Sequence, residues 1–233
     1  MKGKLLRGLV VTFLLILIVG CSLQEEAKSM MENHQQTTTD PINQANLTDI
    51  PDDLKMAIVD VEDSRFYEHS GLDLYGIGRA VYTDVTTMSA AEGGSTLTQQ
   101  LARSVYLSQD RTFSRKVNEI ALAFELEHTY SKDQILEMYL NNVYFGNGAF
   151  GIRAAAETYF GKGQDLKHLT LAECALLAGL PNAPSALNPW LEANVPNALA
   201  RRNHVLDAMY HNGDITQEEM TQAKSSPLKL FGQ

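Results

Sequence analysis

The candidate chemistry of this chain begins with two acidic residues, Glu62 and Asp63, at the end of a predicted helix. Arg65, Phe66 and His69 follow, so a carboxylate would stand beside a cation and an aromatic ring. A carboxylate in such a place is a candidate general acid or base. The competing interpretation is a surface ion pair between Glu62 and Arg65, because structural ion pairs occupy such positions too. His69 is more typical of a structural hydrogen bonder than of a ligand.

The segment from Gly93 to Leu107, GGSTLTQQLARSVYL, joins two glycines to a run of hydroxyl and amide side chains. Glycines let a backbone approach a ligand closely, and the side chains that follow both donate and accept hydrogen bonds. The run suits an oxygen-rich, anionic ligand. The competing interpretation is a polar turn in which Ser95 or Thr96 caps a helix through Leu101 and Val105.

A second carboxylate, Glu119, lies within a basic stretch of the sequence. Arg115 precedes it by four residues and Lys116 by three, so the three share one side of a predicted helix. The basic residues of this part of an acidic chain are Arg103, Arg111, Arg115 and Lys116, and such a local cluster indicates a focused site for an anion. The competing interpretation is an exposed ion pair of Arg115 with Glu119, worth only about 0.3 to 0.5 kcal/mol.

The composition and the missing motifs exclude several classes of protein. With 233 residues, 44% of them hydrophobic and 20% charged, the chain can build one sizeable core. A net charge of -9 argues against a general nucleic-acid binder, which needs a basic surface. The motifs HExxH, CxxC, GxSxG and GxxxxGK[ST] do not occur, so the sequence gives no ground for a structural zinc site, a nucleophile elbow or a nucleotide-binding loop.

Residues 1–23 are predicted to be a signal or membrane-anchor segment. Basic residues precede an apolar run from Leu9 to Val19, which is short for a membrane-spanning helix. Residues Ile18 to Cys21 also resemble a lipoprotein cleavage box. A lipidated Cys21 and an uncleaved signal anchor therefore remain alternatives.

The rest of the chain divides into a tether and one folded domain. Residues 24–49 are polar and lack apolar periodicity, which predicts a flexible tether. The folded domain is predicted over residues 50–233. Strand patterns are scarce there, so we expect an all-α fold with at most a short hairpin.

Helix signals then place the candidate residues on elements. Pro51 is expected at the first position of the helix that carries Glu62. A helix from Ser114 to Tyr130 would carry Glu119, and Cys174 is expected to be a small buried hydrophobe. The apolar stripe predicted for the Ser114 helix is Val117, Ile120, Ala121 and Phe124. Capping boxes are predicted at Ser131 with Gln134, Thr170 with Glu173, and Thr216 with Glu219.

Five ordered blocks of this sequence resemble those of the bacterial peptidoglycan glycosyltransferases, family 51. The blocks are EDSRFYEHSGLD from Glu62, GGSTLTQQ from Gly93, RKVNEIALAFELE from Arg115, KDQILEMYLNNVYFGNGAFGI from Lys132 and LTLAECALLAGLPNAPSALNP from Leu169. The resemblance covers roughly residues 50–189, and the segment after Pro189 matches only loosely. This family occurs alone as monofunctional transglycosylases and as the first domain of bifunctional penicillin-binding proteins. The one SxxK match, Ser226 to Lys229, has no KTG partner, which favours the monofunctional type.

The resemblance implies a lysozyme-like helical fold with a large lobe and a small, membrane-facing jaw lobe. It implies that Glu62 is the general base for the acceptor hydroxyl of lipid II, whose oxygen displaces undecaprenyl pyrophosphate with inversion. Glu119 would organise the cations that hold the pyrophosphate. The residues expected at the substrate are Asp63, Arg65, Ser95, Thr96, Gln99, Gln100, Arg103, Arg111, Arg115 and Lys116.

The resemblance also carries expectations about cofactors, partners and location. The sequence indicates no required cofactor. Asn118 falls where many relatives carry Lys, so a divalent cation (Mg or Mn) at the pyrophosphate is the alternative expectation. Expected partners are lipid II, the lipid-linked glycan strand, the membrane and other cell-wall synthesis proteins, but no nucleic acid. The domain is expected on the extracytoplasmic face of a bacterial cell membrane, with residues 74–92 against the bilayer. A lytic muramidase and a non-catalytic cell-wall scaffold lipoprotein remain alternatives.

Overall fold

The computed structural model describes residues 44–76, 78, 94–107 and 113–232, with the isolated positions 25, 27 and 29. The predicted anchor, most of the tether, most of the segment expected at the bilayer, and Arg111 lie outside these residues. Among the helices that the structure describes, none has the length and apolar character needed to span a bilayer.

Helices build the described part of the chain, in which no β-sheet occurs, so the all-α prediction is confirmed. The helices are α1 (Asp52–Glu62), α2 (Leu97–Tyr106), α3 (Phe113–Thr129), α4 (Lys132–Asn142), α5 (Ile152–Phe160), α6 (Leu171–Gly179), α7 (Val195–Asn212) and α8 (Gln217–Ser225). Short 3-10 turns occupy Leu47–Asp49, Leu166–His168, Leu180–Asn182 and Glu192–Asn194. The nearest feature to a hairpin is a single antiparallel bridge between Tyr144 and Phe150.

One group of helices forms around α6. Every residue of α6 from Cys174 to Gly179 is buried, as expected of a helix that is apolar on all sides. Helices α1 and α7 pack against it, and α8 packs on α7. Cys174 is buried as predicted, and burial raises the pKa of its thiol.

A second group brings α3 and α4 onto α2. Leu97, Leu101 and Ala102 form the buried side of α2, and Tyr139 of α4 is fully buried. Helix α5 contacts both α4 and α6 and so joins the two groups. Glu62 ends α1 in the first group, and the polar residues of the second sequence block begin α2 in the other.

Capping residues start the helices largely as the sequence predicts. The three predicted capping boxes are present, and Thr96 with Gln99 forms a fourth at the start of α2. Pro51 is one position earlier than predicted: it lies just outside α1, where its carbonyl accepts from the backbone N–H groups of Leu54 and Lys55. Because proline has no N–H to donate, either position is compatible with a helix start.

The apolar stripe predicted on α3 is wrong. The buried residues of α3 are Glu119, Leu122, Ala123, Glu125 and Leu126, whereas Phe124 is 49% exposed. The spacing of the buried set is that of one helix face, but its first member is a carboxylate, which a search for apolar periodicity passes over.

The folded part begins no later than Gln44, earlier than the predicted boundary at residue 50. Ala45 is buried, and its backbone N–H and C=O both bond to the side-chain amide of Asn141. The Leu47 N–H donates to Glu137 at 2.6 Å. A polar segment fixed through its backbone leaves no periodic signal, so the sequence predicts a tether there.

Candidate active site

The carboxylate of Glu62 is held from both sides at the end of α1. Its Oε2 accepts a hydrogen bond from Nε2 of Gln100 on α2 at 2.9 Å. Its Oε1 accepts from Nη2 of Arg201 on α7 at 2.8 Å. The side chain of Glu62 is only 9% exposed. A largely buried and paired carboxylate in one orientation is a candidate general base, and the alternative ion pair of Glu62 with Arg65 is wrong.

Arg201 was missed by the sequence analysis. It follows the five blocks, in the segment that matches the family only loosely, and lies 139 residues from Glu62 in the chain. Neighbouring Arg202 is equally basic but bonds to the carbonyls of Ser226 and Lys224 instead. No local pattern distinguishes the two arginines, because only the packing of α7 on α1 decides which one meets the carboxylate.

Tyr139 orients the side-chain amide of Gln100. Its hydroxyl donates to Oε1 of Gln100 at 3.2 Å, which leaves the amide nitrogen to face Glu62. Burial raises the pKa of Tyr139 well above its usual range, an effect that the Glu62 charge reinforces and the Arg103 and Arg201 charges oppose. Tyr139 therefore remains a neutral donor. A tyrosine on the buried side of a helix needs a polar partner, and that was the available sequence signal.

Asp63 and His69 tie the turn after α1 to the start of α2. Asp63 is buried, with His69 Nε2 at 2.9 Å and the Leu97 backbone N–H at 3.0 Å from its carboxylate. His69 is thus a structural hydrogen bonder, as expected. The Asp63 carboxylate is used inside the protein, so its predicted contact with substrate remains only a prediction.

Thr96 and Gln99 also bond inside the protein. The Thr96 hydroxyl donates to the Gly71 carbonyl at 2.8 Å and accepts from the Gln99 backbone N–H, while the Gln99 side chain accepts from the Thr96 N–H. Both residues are almost fully buried. In the structure they shape the start of α2, and their contact with substrate stays a prediction.

Ser95, Lys116 and Glu119 form a second polar cluster, between the start of α2 and α3. Lys116 Nζ donates to Ser95 Oγ at 3.1 Å and also to Glu119 Oε1. Glu119 is 1% exposed, whereas the Lys116 side chain is 43% exposed. Glu119 is thus not part of an exposed ion pair, so that alternative is wrong, and its carboxylate bonds to Lys116. A buried carboxylate that orients a half-exposed cation can present that cation to an anion.

The four other predicted cations are Arg103, Arg65, Arg115 and Arg111, and those that the structure describes do not lie at one place. Arg103 on α2 lies close enough to affect Tyr139, so it borders the Glu62 cluster. Arg65 instead meets Glu68 and Asp73, each at 3.4 Å, and its guanidinium lies 4.5 Å from the centre of the Tyr75 ring. Arg115 is half-buried on α3. Arg111 lies outside the described residues.

A cavity of about 520 Å³ lies away from both clusters. It is lined by Asp53 at the opposite end of α1 from Glu62, and by Arg202 and Glu219 among others. None of the predicted site residues lines it. Within the described ranges, no group of three or more His, Cys, Asp or Glu side chains is arranged to hold a metal ion.

The family of the chain follows from its match to known proteins. The family model described as Transglycosylase matches residues 27–210, which is most of the chain. This chain belongs to the transglycosylase family. The matched range contains both carboxylate clusters and Arg201, so these residues are parts of one transglycosylase domain.

Relatives of this transglycosylase include penicillin-binding proteins. Penicillin-binding protein 1F of Bacillus subtilis (strain 168) is 45% identical over 79% of this chain and 25% of its own length. Penicillin-binding protein 1A of Escherichia coli (strain K12) is 47% identical over 78% of this chain and 21% of its own. The chain thus spans a quarter or less of these relatives. A crystal structure of penicillin-binding protein 1A from Haemophilus influenzae aligns with a TM-score of 0.45 and 25% identity, over 80% of this chain and 18% of that one.

Proposed function

We propose that this transglycosylase is a peptidoglycan glycosyltransferase that joins lipid II units into glycan strands. The observation that carries the proposal is the Glu62 carboxylate, which is 9% exposed and held on its two oxygens by Gln100 and Arg201. It begins the block EDSRFYEHSGLD, the first of those that resemble the family. Membership of the transglycosylase family supports a glycosyl-transfer reaction at this site.

The proposed reaction needs one base for the acceptor hydroxyl and positive charge and hydrogen-bond donors for the leaving group. Glu62 takes the proton of the acceptor hydroxyl, whose oxygen forms a bond to the anomeric carbon of the donor sugar. The bond from that carbon to the pyrophosphate oxygen breaks with inversion, and the electron pair leaves on undecaprenyl pyrophosphate. Ordinary glycosidases need a carboxylic acid to protonate the leaving group. Pyrophosphate needs donors and cations instead, and Ser95 and Lys116, oriented by Glu119, supply them.

A divalent cation at the pyrophosphate is a further part of the proposal. Glu119 is the one buried carboxylate of the Lys116 cluster and already bonds to Lys116, so the protein offers such an ion few ligands of its own. Mg²⁺ is commonly bound through substrate phosphates with one or two carboxylates. The ion would neutralise charge on the leaving group in place of the missing Lys at Asn118.

Incubation of the full chain with purified lipid II tests the function. We expect glycan polymer together with release of undecaprenyl pyrophosphate, one for each bond formed. The same protein incubated with finished peptidoglycan should release no fragments. Fragments without polymer would instead support the muramidase alternative. Absence of both products would support the scaffold alternative.

We also propose that the domain acts on the extracytoplasmic face of a bacterial membrane. A polyprenyl-linked substrate must reach the Glu62 site from a bilayer, and the apolar run from Leu9 to Val19 supports an anchor. Mass spectrometry of the membrane-extracted amino terminus decides its form, because a diacylglyceryl Cys21 and an intact Met1 exclude each other. A water-soluble protein that begins after residue 23 would contradict both forms of the anchor.

A further inference from the structure

The geometry points to Arg201 as a positioning residue that fixes the orientation of the Glu62 carboxylate. This inference rests on the proposed function, in which Glu62 is the base. Arg201 lies on α7, beyond the five blocks that resemble the family, and its Nη2 donates to Glu62 Oε1 at 2.8 Å. The side chain is 18% exposed, so most of it is withdrawn from water.

The Glu62 carboxylate is clamped from two helices that belong to different packing groups. Gln100 on α2 holds Oε2, and its own amide is oriented by the buried Tyr139 hydroxyl. Arg201 on α7 holds Oε1. With both oxygens bonded, rotation of the carboxylate about its terminal torsion is restricted. A base must lie within hydrogen-bond reach of the proton it removes, and small misplacements lower rates strongly.

The path of the Arg201 side chain is itself fixed. It crosses Gly179 at the end of α6, where an added Cβ would lie 2.8 Å from Arg201 Cγ. Gly179 has an ordinary right-handed helical conformation, with φ of -77° and ψ of -26°, so its backbone does not require glycine. The glycine instead leaves space for the arginine.

Arg201 serves the base and not the leaving group. The hydrogen bonds that join Ser95, Lys116 and Glu119 do not involve Arg201. Its contact is the carboxylate of Glu62, with an ion pair that is largely buried. Removal of one partner from a buried pair leaves the other charge uncompensated, so the carboxylate would turn towards solvent or another donor.

Steady-state polymerisation kinetics of Arg201→Met and Arg201→Lys with lipid II test the inference. We expect kcat to fall on the order of 100-fold for Arg201→Met, with KM close to that of wild type. Arg201→Lys should recover part of kcat, since an ammonium can replace one donor but not the geometry of the guanidinium. Added guanidinium ions should partly restore the activity of Arg201→Ala.

Two further variants separate positioning from general damage to α7. Arg202→Met removes a buried arginine of the same helix that bonds to backbone carbonyls, so it should lower stability and leave kcat of the folded protein unchanged. Gly179→Ala should lower kcat with every charge retained, because the added methyl displaces Arg201.

Three results would overturn the assignment. An unchanged kcat in Arg201→Met would show that the clamp is dispensable. A raised KM with normal kcat would make Arg201 a substrate ligand, and an equal loss in Arg202→Met would make the effect one of folding. If wild type itself makes no polymer from lipid II, the proposed function fails and the inference fails with it. If wild type is active, the kinetics of the variants test the role of Arg201 alone.

Discussion

Two carboxylates that are largely withdrawn from water carry the proposed chemistry, and their partners set their different tasks. Glu62 is held by the amide of Gln100 and the guanidinium of Arg201. Glu119 lies on the buried face of α3 and bonds to Lys116, whose side chain is half-exposed. The first arrangement suits proton removal from a hydroxyl, and the second suits the presentation of positive charge to a leaving group.

Replacement of each carboxylate by its amide should separate these tasks. Glu62→Gln removes the base and is expected to lower polymerisation by about 10²- to 10⁴-fold. Glu119→Gln should cause a smaller but still large loss, because Lys116 remains but is no longer oriented. Initial rates with lipid II measure both effects. Glu68→Gln, at a carboxylate that is 67% exposed, is the matched control and should retain wild-type rates; full activity in Glu62→Gln would contradict the proposed base.

Asn118 offers a test of the divalent cation. If an ion takes the place of the lysine that the family resemblance leads us to expect at this position, chelation with EDTA should lower wild-type polymerisation severalfold, and Mg²⁺ or Mn²⁺ should restore it. Asn118→Lys supplies a fixed charge nearby, so its rate should depend less on the added ion. Equal sensitivity of the two proteins to EDTA would argue against this role for the ion.

At the scale of single elements, helix starts position the site. The capping box of Thr96 and Gln99 begins α2, and the Thr96 hydroxyl also reaches the Gly71 carbonyl. Asp63 accepts from the Leu97 N–H at the same helix end. These contacts place Ser95 and Gln100, one on each side of the cap, against the two carboxylate clusters.

Two cap variants should separate stability from activity. Thr96→Ala and Ser131→Ala each remove a capping box and should each lower the free energy of unfolding by about 0.5 to 2 kcal/mol. Only Thr96→Ala should also lower kcat in the folded protein, because its helix carries Gln100. Thermal unfolding and polymerisation rates give the two readouts, and equal kcat in the two variants would refute the positional role of the α2 cap.

At the scale of the whole molecule, contacts between distant parts of the chain complete the structure around α1. Asn212, at the end of α7, donates to Asp60 Oδ1 across 152 residues. The second oxygen of Asp60 is buried without a donor. Burial raises the pKa of Asp60 to about 7; the Asn212 hydrogen bond opposes this shift and the neighbouring Asp214 adds to it.

This contact predicts a pH-dependent stability. The folded-state pKa of Asp60 is above its ordinary value of 3.8, so the folded protein keeps a proton that the unfolded chain loses between about pH 4 and 7. Asp60 therefore contributes a loss of stability as pH rises through that window. Asp60→Asn should gain stability over wild type between about pH 5 and 8, as measured by denaturant unfolding.

Asp52→Asn is the control for this measurement. Asp52 lies on the same helix and is exposed, and its hydrogen bond and charge interaction with Lys55 lower its pKa. Its contribution is therefore lost only as pH falls below its ordinary range, and its difference from wild type should stay constant between about pH 5 and 8. A constant difference for Asp60→Asn as well would show that Asp60 ionises in the folded state as it does in the unfolded chain.

The sequence by itself determined the helical class, the capping boxes and the two carboxylates with their family blocks. These features are local, because a cap, a sequence block or a helical period depends only on residues close together in the chain. Tertiary structure alone decided that Arg201 and not Arg65 pairs with Glu62, that Glu119 faces the core, and that residues 44–49 pack on α4. Each of these depends on contacts between segments far apart in the chain, and a hydrogen bond across 139 residues leaves no trace in the local pattern of either partner.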